Sequence, residues 1–347
     1  MRMRHLTATV SLVLAILVCG MMVTTASADR DIQFPVQLRA GSAVISATIF
    51  ENSKAWCTGA TILAVHGLTG NAASWQPLVD AMYKDGFLGR TVKRVIAIDL
   101  PGHGKSPMPE NLPGGPFGNL LIDDNISVIM QSIIALQAMN LGPRVIMGHS
   151  MGGLAIQGLQ EALLKQDLSL AHLGIFRAVL LAPVPAASSV WTQGPPSDIS
   201  PFVKYTPSLG TYIDLTPEAA LYGGSFTVLD GSLVPNAPSL ADTAAYNAPE
   251  PYYTVLQLVG ILAPQGFPRP DAREGAFSIC KGTLLNVISF SQDVLVPAGD
   301  LDDLYNYLTG NTLGLFYRKV DKSDACHSML ISNPAEVVKA LKTLPPM

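Results

Sequence analysis

The stretch Arg144–Gly153 constrains this chain more than any other. It begins with four residues typical of a strand, continues through a Gly-x-Ser-x-Gly motif centred on Ser150, and leads into an apolar run, Leu154–Leu164, that predicts a helix. In a strand–turn–helix of this kind the serine sits at a sharp, strained bend, where its hydroxyl is exposed above the sheet. The positions two residues before and after it crowd each other and require glycine. The stretch therefore predicts a reactive serine at the end of a buried strand.

Elsewhere, predicted strands alternate with predicted helices. Apolar or β-branched runs predict strands at 32–39, 43–50, 60–65, 94–98, 144–147, 177–181, 283–290 and 313–320. Helices are predicted at 74–84, 123–139, 154–164, 302–308 and 335–344, with Ser74, Asp123 and Asn333 as caps. The first two strands form an antiparallel hairpin, and Pro35 indicates an edge position. This alternation implies a mostly parallel sheet covered by helices on both faces.

The first 28 residues have the composition of a secretory signal. Arg2 and Arg4 precede an apolar run, residues 6–22, and Ala26–Ala28 is a small-x-small cleavage site. We therefore expect cleavage after Ala28 and a secreted or periplasmic protein with no stable membrane span. A membrane anchor is the alternative, but the apolar core is short for a span of about 20 residues. Lipidation of Cys19 is a minor option, since a small residue does not precede it.

Composition limits the possible partners. The chain has 347 residues, of which 48% are hydrophobic and 14% charged, enough for a large buried core in one domain with an insertion or in two domains. The net charge of −4 and the lack of basic runs argue against a nucleic-acid partner. The sequence leaves open the oligomeric state and the disulfide pairing among Cys57, Cys280 and Cys326.

Five segments, taken in order, resemble the α/β-hydrolase fold. They are His66-Gly67, Asp99–Ser106, Gly148–Gly153, Asp293–Pro297 and His327. The resemblance implies a first core part at 29–183, a cap (lid) inserted after the sixth strand at 184–281, and a second core part at 282–347. The insertion is rich in Pro, Gly, Ser and Tyr and matches no pattern that we can name.

The family order of serine, acid and histidine identifies partners for Ser150. His327 follows the last predicted strand and is the expected general base, whereas His172 precedes the sixth strand and does not fit. Asp293 follows strand 283–290, at the end of a parallel strand where sites form. Five other aspartates compete for this role but lie in or near a helix or on the wrong connection: Asp300, Asp302, Asp303, Asp321 and Asp324.

The same resemblance implies an oxyanion hole made of two main-chain amides, those of Leu68 and Met151. His66 is expected to brace its loop, and His103 to shape the edge of the site. We expect His149 to be a packed neighbour of the nucleophile, with substrate contact as the alternative. Cys326, beside His327, is expected to be structural.

A serine at the bend excludes family chemistry that needs an aspartate nucleophile, and it fits an acyl-enzyme route on esters or related acyl bonds. The tyrosines of the cap suggest an apolar or aromatic small-molecule substrate, with pocket residues Trp75, Tyr205, Tyr212 and Tyr222, although Trp75 also fits a core position. The sequence has no metal-ligand spacing and no phosphate loop, so we expect neither metal nor cofactor. Carbon–carbon bond hydrolysis, amide or peptide hydrolysis, acyl transfer and non-catalytic ligand binding remain alternatives.

Overall fold

A computed structural model of the chain describes residues 29–110, 112–184, 200–258, 282–296, 298–299, 301–302 and 314–343. The predicted signal segment, Cys280 and most of the predicted helix at 302–308 lie outside these ranges.

The strands follow the predicted order closely. They are β1 (Asp29–Leu38), β2 (Gly41–Glu51), β3 (Ala60–Val65), β4 (Val92–Ile98), β5 (Val145–His149), β6 (Arg177–Leu181), β7 (Val203–Thr206), β8 (Gly210–Ile213), β9 (Glu250–Pro251), β10 (Leu284–Phe290) and β11 (Leu315–Val320).

Eight of these strands form one sheet in the order β1-β2-β4-β3-β5-β6-β10-β11. The pairs β1–β2 and β2–β4 are antiparallel, and the others are parallel. The hairpin is confirmed, and Pro35 lies on the edge strand β1, where its missing N–H costs no sheet hydrogen bond. Because β3, β5, β6 and β10 run parallel, their carboxyl ends meet at one edge of the sheet.

The helices are α1 (Gln76–Lys84), α2 (Leu88–Thr91), α3 (Ile122–Ala138), α4 (Met151–Leu164), α5 (Pro217–Ala220), α6 (Leu240–Tyr246), α7 (Tyr252–Leu258), α8 (Met329–Ser332) and α9 (Pro334–Thr343). Both faces of the sheet are covered, one by α3 and α4 and the other by α1 and α9. Leu63 and Val65 of β3 pack in the core under α3 and α4, whereas Ile62 and Ala64 pack in the core under α1 and α9. Burial on both faces explains why β3 is a continuous apolar run.

The described part of the insertion, residues 184 and 200–258, includes the antiparallel sheet β7-β8-β9 and helices α5, α6 and α7. It contacts the core near the start of α3, where the Gln257 side chain accepts from the Ile122 amide at 2.7 Å and Thr254 donates to the Leu120 carbonyl at 2.9 Å.

Two predicted caps are wrong by a few residues. Asn71, rather than Ser74, accepts from the Ala73 amide and starts a 3-10 turn that leads into α1. Asp124, rather than Asp123, accepts from the Leu121 amide at the start of α3 at 2.9 Å. Ser74 lies inside the 3-10 turn and Asp123 inside the first turn of α3, so neither stands at the position before a helix that a cap occupies.

Candidate active site

Ser150 lies at the bend between β5 and α4, with φ 52° and ψ −119°. This region is unfavourable for a residue with a side chain and is held here by close packing. A Cβ at Gly152 would lie 2.5 Å from the His66 carbonyl oxygen, and one at Gly148 would lie 2.7 Å from the Gly152 carbonyl oxygen. Both glycines of the motif are therefore required by direct contact, as the sequence predicts.

Asp293 and His327 come from the loops after β10 and β11 and meet in a buried hydrogen bond. The Nδ1 atom of His327 lies 2.7 Å from Oδ2 of Asp293. The other oxygen, Oδ1, accepts from the amides of Leu295 and Val296, each at 2.8 Å, which fixes the carboxylate. A carboxylate oxygen facing Nδ1 places a proton on that nitrogen, so in the neutral ring it is Nε2 that has the lone pair.

The loop that carries His327 is attached to the strand end that carries Ser150. The Nε2 atom of His149 donates to the main-chain oxygen of His327 at 3.0 Å, and the two rings lie 4.8 Å apart. Burial, followed by the nearby His327 ring, lowers the pKa of His149 to about 3, so this imidazole is neutral at ordinary pH. His149 is thus a buried residue next to the bend, and its hydrogen bond holds the loop that carries His327.

Two main-chain segments flank Ser150 at the expected positions. Met151 is the first residue of α4, so its amide has no acceptor within the helix. A Cβ at Gly67 would lie 2.9 Å from the Cβ of Ser150, which shows how closely the loop after β3 approaches the serine. Leu68 is the next residue of that loop. These positions fit two donors to a developing oxyanion, and this role remains a prediction.

His66 braces this loop, as predicted. Its Nδ1 lies 2.8 Å from the Gly67 carbonyl oxygen, and its Nε2 accepts from the Leu100 amide at 3.1 Å. Nδ1 must therefore carry the proton. Burial, with a smaller effect of His103, lowers the pKa of His66 well below its usual value, in agreement with a neutral ring.

His103 has a partner that the sequence does not reveal. Its Nε2 lies 3.0 Å from Oε2 of Glu250, a fully buried residue of the insertion. Glu250 is 147 positions away in the chain and lies in a segment of weak periodicity. Glu250 is therefore identified only from the structure, which places it as a buried acidic residue on β9.

Three predicted pocket residues are corrected. Trp75 is fully buried and packs in the core beneath α1, because the 3-10 turn before that helix directs it inward. Tyr205 and Tyr222 are 69% and 59% exposed, so they do not line a covered pocket. Tyr212 packs against the core under α3 and α4. A substrate contact of Tyr212 stays a prediction.

A small cavity of about 60 Å³ lies beside the loop after β3. Its lining includes Leu68, His149, Phe226, Tyr246 and Leu330. Tyr246 is a pocket residue that the sequence pattern did not single out among the tyrosines of the insertion.

Cys326 is buried, and its Sγ lies 3.4 Å from Ser332 Oγ. Burial raises the pKa of this thiol to about 11, so it is protonated and a poor nucleophile. Cys57 is exposed, and neither of these two cysteines forms a disulfide within the described residues.

Over the described ranges, no three His, Cys, Asp or Glu residues are grouped so that they could hold a metal ion. None of the helices placed in these ranges is long and apolar enough to cross a membrane.

Residues 62–340 match the model of the alpha/beta hydrolase family, and the chain belongs to that family. The predicted fold is thereby confirmed.

Two curated relatives share local similarity. An (E)-2-((N-methylformamido)methylene)succinate hydrolase of Acinetobacter baylyi is 28% identical over 102 residues, 29% of this chain and 32% of the relative. The mouse sn-1-specific diacylglycerol lipase ABHD11 is 31% identical over 134 residues, 35% of this chain and 38% of the relative. Each alignment thus spans about a third of the relative.

Solved structures share the fold over most of the chain. A hydrolase from Pseudomonas aeruginosa superposes with a TM-score of 0.57 and 16% identity, covering 89% of this chain and 96% of that structure.

Proposed function

We propose that this protein is an exported serine hydrolase that cleaves a carboxylic ester, or a related acyl bond, through an acyl-enzyme on Ser150. One observation carries the proposal. Asp293 fixes the imidazole of His327 at 2.7 Å, and His149 bonds the main-chain oxygen of His327 at 3.0 Å from the strand end that presents Ser150 in a strained bend.

In the proposed mechanism, Ser150 Oγ attacks the substrate carbonyl and its proton passes to Nε2 of His327. The negative charge that develops on the carbonyl oxygen accepts hydrogen bonds from the amides of Leu68 and Met151. The tetrahedral intermediate collapses, and His327 returns the proton to the departing alcohol. Water then attacks the acyl-enzyme, giving its proton to His327, and the acid leaves as Ser150 regains its hydrogen.

Asp293 orients His327 and stabilises the imidazolium that forms in both steps. Since Nδ1 bears a proton that points at this carboxylate, the free lone pair on Nε2 is available to serve as the base.

An ester with an apolar group on the acyl or alcohol side fits the surroundings. The cavity beside the loop after β3 has Leu68, Phe226 and Leu330 in its lining. The name of the mouse relative, a diacylglycerol lipase, also supports an ester target. Export rests on the composition of residues 1–28.

The test is hydrolysis of p-nitrophenyl esters of increasing acyl length by the mature protein and by Ser150→Ala. Ser132→Ala is the matched control, because it also removes a buried serine hydroxyl, on α3, where Ser132 donates to the Val128 carbonyl. We expect Ser132→Ala to retain turnover and Ser150→Ala to lose it by at least about a thousandfold.

Intact mass spectrometry during turnover should show a mass increase equal to the acyl group, absent in Ser150→Ala. Equal rates for Ser150→Ala and the wild type would reject catalysis by Ser150. If wild-type protein binds esters without turnover, it is a ligand-binding member of the family. A panel of amides, carbon–carbon substrates and alcohol acceptors would reveal amidase, carbon–carbon hydrolase or acyltransferase activity.

A further inference from the structure

A segment of the insertion, residues 245–250, holds the loop after β3. The Thr69 amide donates to Glu250 Oε2 at 2.8 Å, and the Thr69 carbonyl accepts from the Ala248 amide at 2.7 Å. The side chain of Asn71 donates to the Ala245 carbonyl at 2.8 Å. Thr69 is therefore fixed on both sides of its backbone by residues about 180 positions later in the chain.

Thr69 directly follows Leu68 and has φ 55°, a conformation unfavourable for a β-branched residue. Such a conformation persists only when surrounding contacts hold it. The bond to the Thr69 amide fixes the peptide unit between Leu68 and Thr69. This limits rotation of the preceding peptide unit, which carries the Leu68 amide. The orientation of that amide next to Ser150 thus depends on the contacts of its neighbour.

Glu250, which accepts the hydrogen bond from the Thr69 amide, is also paired with His103. Oε2 of Glu250 lies 3.0 Å from Nε2 of His103, whose Nδ1 lies 3.0 Å from the Pro101 carbonyl oxygen. Both ring nitrogens face acceptors, so both carry protons and the ring is cationic. His103 and Glu250 are 1% and 0% exposed, and a buried carboxylate without this cation would be very unfavourable.

Within the described ranges, the titratable groups that face the His103 ring are Glu250, the carboxylate of Asp99 and the His66 ring, whose centroid lies 4.9 Å away. Burial lowers the pKa of His103, but the charge and hydrogen bond of Glu250, with a contribution from Asp99, outweigh burial and raise that pKa above its usual value. His66 is neutral and adds no competing cation.

We propose that His103 and Glu250 are positioning residues, a buried ion pair that holds the Thr69 amide and so directs the Leu68 amide toward the oxyanion. This inference rests on the proposed function. It makes the insertion part of the catalytic apparatus: the oxyanion loop is complete only when residues 245–250 are seated against it.

The first test measures the protonation of His103 in wild-type protein and uses variants only for assignment and comparison. Nitrogen-15 NMR of the imidazole rings, with His103 assigned from His103→Gln, follows its protonation with pH. We expect a midpoint above 6.5 in the wild type and below 6.5 in Glu250→Gln, where burial acts without the opposing carboxylate. A wild-type midpoint at or below 6.5 would overturn the ion pair.

The second test compares Glu250→Gln with Glu218→Gln, which removes the same charge from an exposed position of the insertion on α5. For a p-nitrophenyl ester we expect Glu250→Gln to lower kcat by about tenfold to a hundredfold with little change in KM, because a misdirected donor acts on the transition state. Glu218→Gln should match the wild type.

The pH profile separates positioning from a general loss of structure. Wild-type kcat should decline on the alkaline side as His103 loses its proton, and Glu250→Gln should shift or lose that decline while Glu218→Gln retains it. If wild-type turnover requires Ser150 but Glu250→Gln and Glu218→Gln have the same kcat and profile, the positioning role is wrong and the proposed function stands. If wild-type turnover does not require Ser150, both proposals fail.

Discussion

The Nε2 atom of His149 lies 3.0 Å from the main-chain oxygen of His327 and donates a hydrogen bond to it. The residue before Ser150 therefore holds the loop that presents the predicted general base. This hydrogen bond joins two residues that are 178 positions apart in the chain, and it forms without a substrate.

This contact predicts a difference between two substitutions at position 149. His149→Gln retains an N–H that can reach the His327 carbonyl, whereas His149→Leu keeps the bulk but has no donor. We expect His149→Leu to lower kcat by about tenfold or more through displacement of the His327 loop, and His149→Gln to lower it less. Steady-state kinetics on one ester measures both. Equal kcat values for the two variants would contradict a role for this hydrogen bond.

Asp293→Asn tests the orientation of His327. The Asn oxygen can still accept from the amides of Leu295 and Val296, so the loop should fold, but its NH₂ then faces Nδ1 of His327 and imposes the wrong tautomer. We expect kcat to fall by about 10³–10⁴-fold with a small change in KM.

The control for this prediction is Asp324→Asn, at a competing aspartate whose carboxylate accepts from the Asn333 side chain. It should retain kcat. If Asp324→Asn lost as much activity as Asp293→Asn, the assignment of the acid would be wrong.

The sequence predicted those parts of the site that depend on local order in the chain. Ser150 is recognisable because the glycines on either side of it are required by contact, and Asp293 and His327 because they follow strands whose carboxyl ends share one edge. The partnership of His103 with Glu250 could not be predicted, since it joins a turn of the core to a segment of the insertion that has no periodic pattern. Tyr205 and Tyr222 show the same limit, because composition does not say which face of the insertion a tyrosine occupies.

Gly67→Ala tests how closely the loop after β3 must approach the serine. The added Cβ would lie 2.9 Å from the Ser150 Cβ and 3.1 Å from His149 Nδ1, so the loop or the bend must move. We expect a loss in kcat of about a hundredfold, as for a displacement of about 1 Å at a catalytic group. Gly86→Ala is the control, because nothing lies within 4 Å of its added Cβ. A Gly67→Ala enzyme with wild-type kcat would show that this approach is not needed.

Cysteine reactivity should separate Cys57 from Cys326. The exposed Cys57 should react with iodoacetamide at pH 8, whereas Cys326, buried and with its pKa raised to about 11 by burial, should react only after unfolding. Peptide mapping of the labelled protein measures each site, and activity should survive the labelling of Cys57. Rapid labelling of Cys326 in the folded protein, with loss of activity, would make the thiol a rival nucleophile.

The buried His149 also predicts how stability changes with pH. Its pKa is lowered to about 3 in the folded protein, from 6.5 when exposed, so the unfolded chain binds a proton that the folded protein does not. Stability is therefore lost as pH falls below 6.5. By pH 5 this one group should cost about 2 kcal/mol relative to neutral pH. His66 acts in the same direction, while His103, whose pKa is raised, acts in the opposite one.

Urea denaturation of the wild type and of His149→Gln, each at pH 7 and pH 5, measures how much of the pH-dependent change in unfolding free energy is due to His149. Gln does not titrate, so the fall in unfolding free energy between the two pH values should be smaller in His149→Gln by about 2 kcal/mol, whatever the substitution does to stability at pH 7. The other histidines contribute equally to both proteins and cancel in this comparison. The same fall in both proteins would mean that His149 is protonated in the folded state and that its ring is not excluded from water as described.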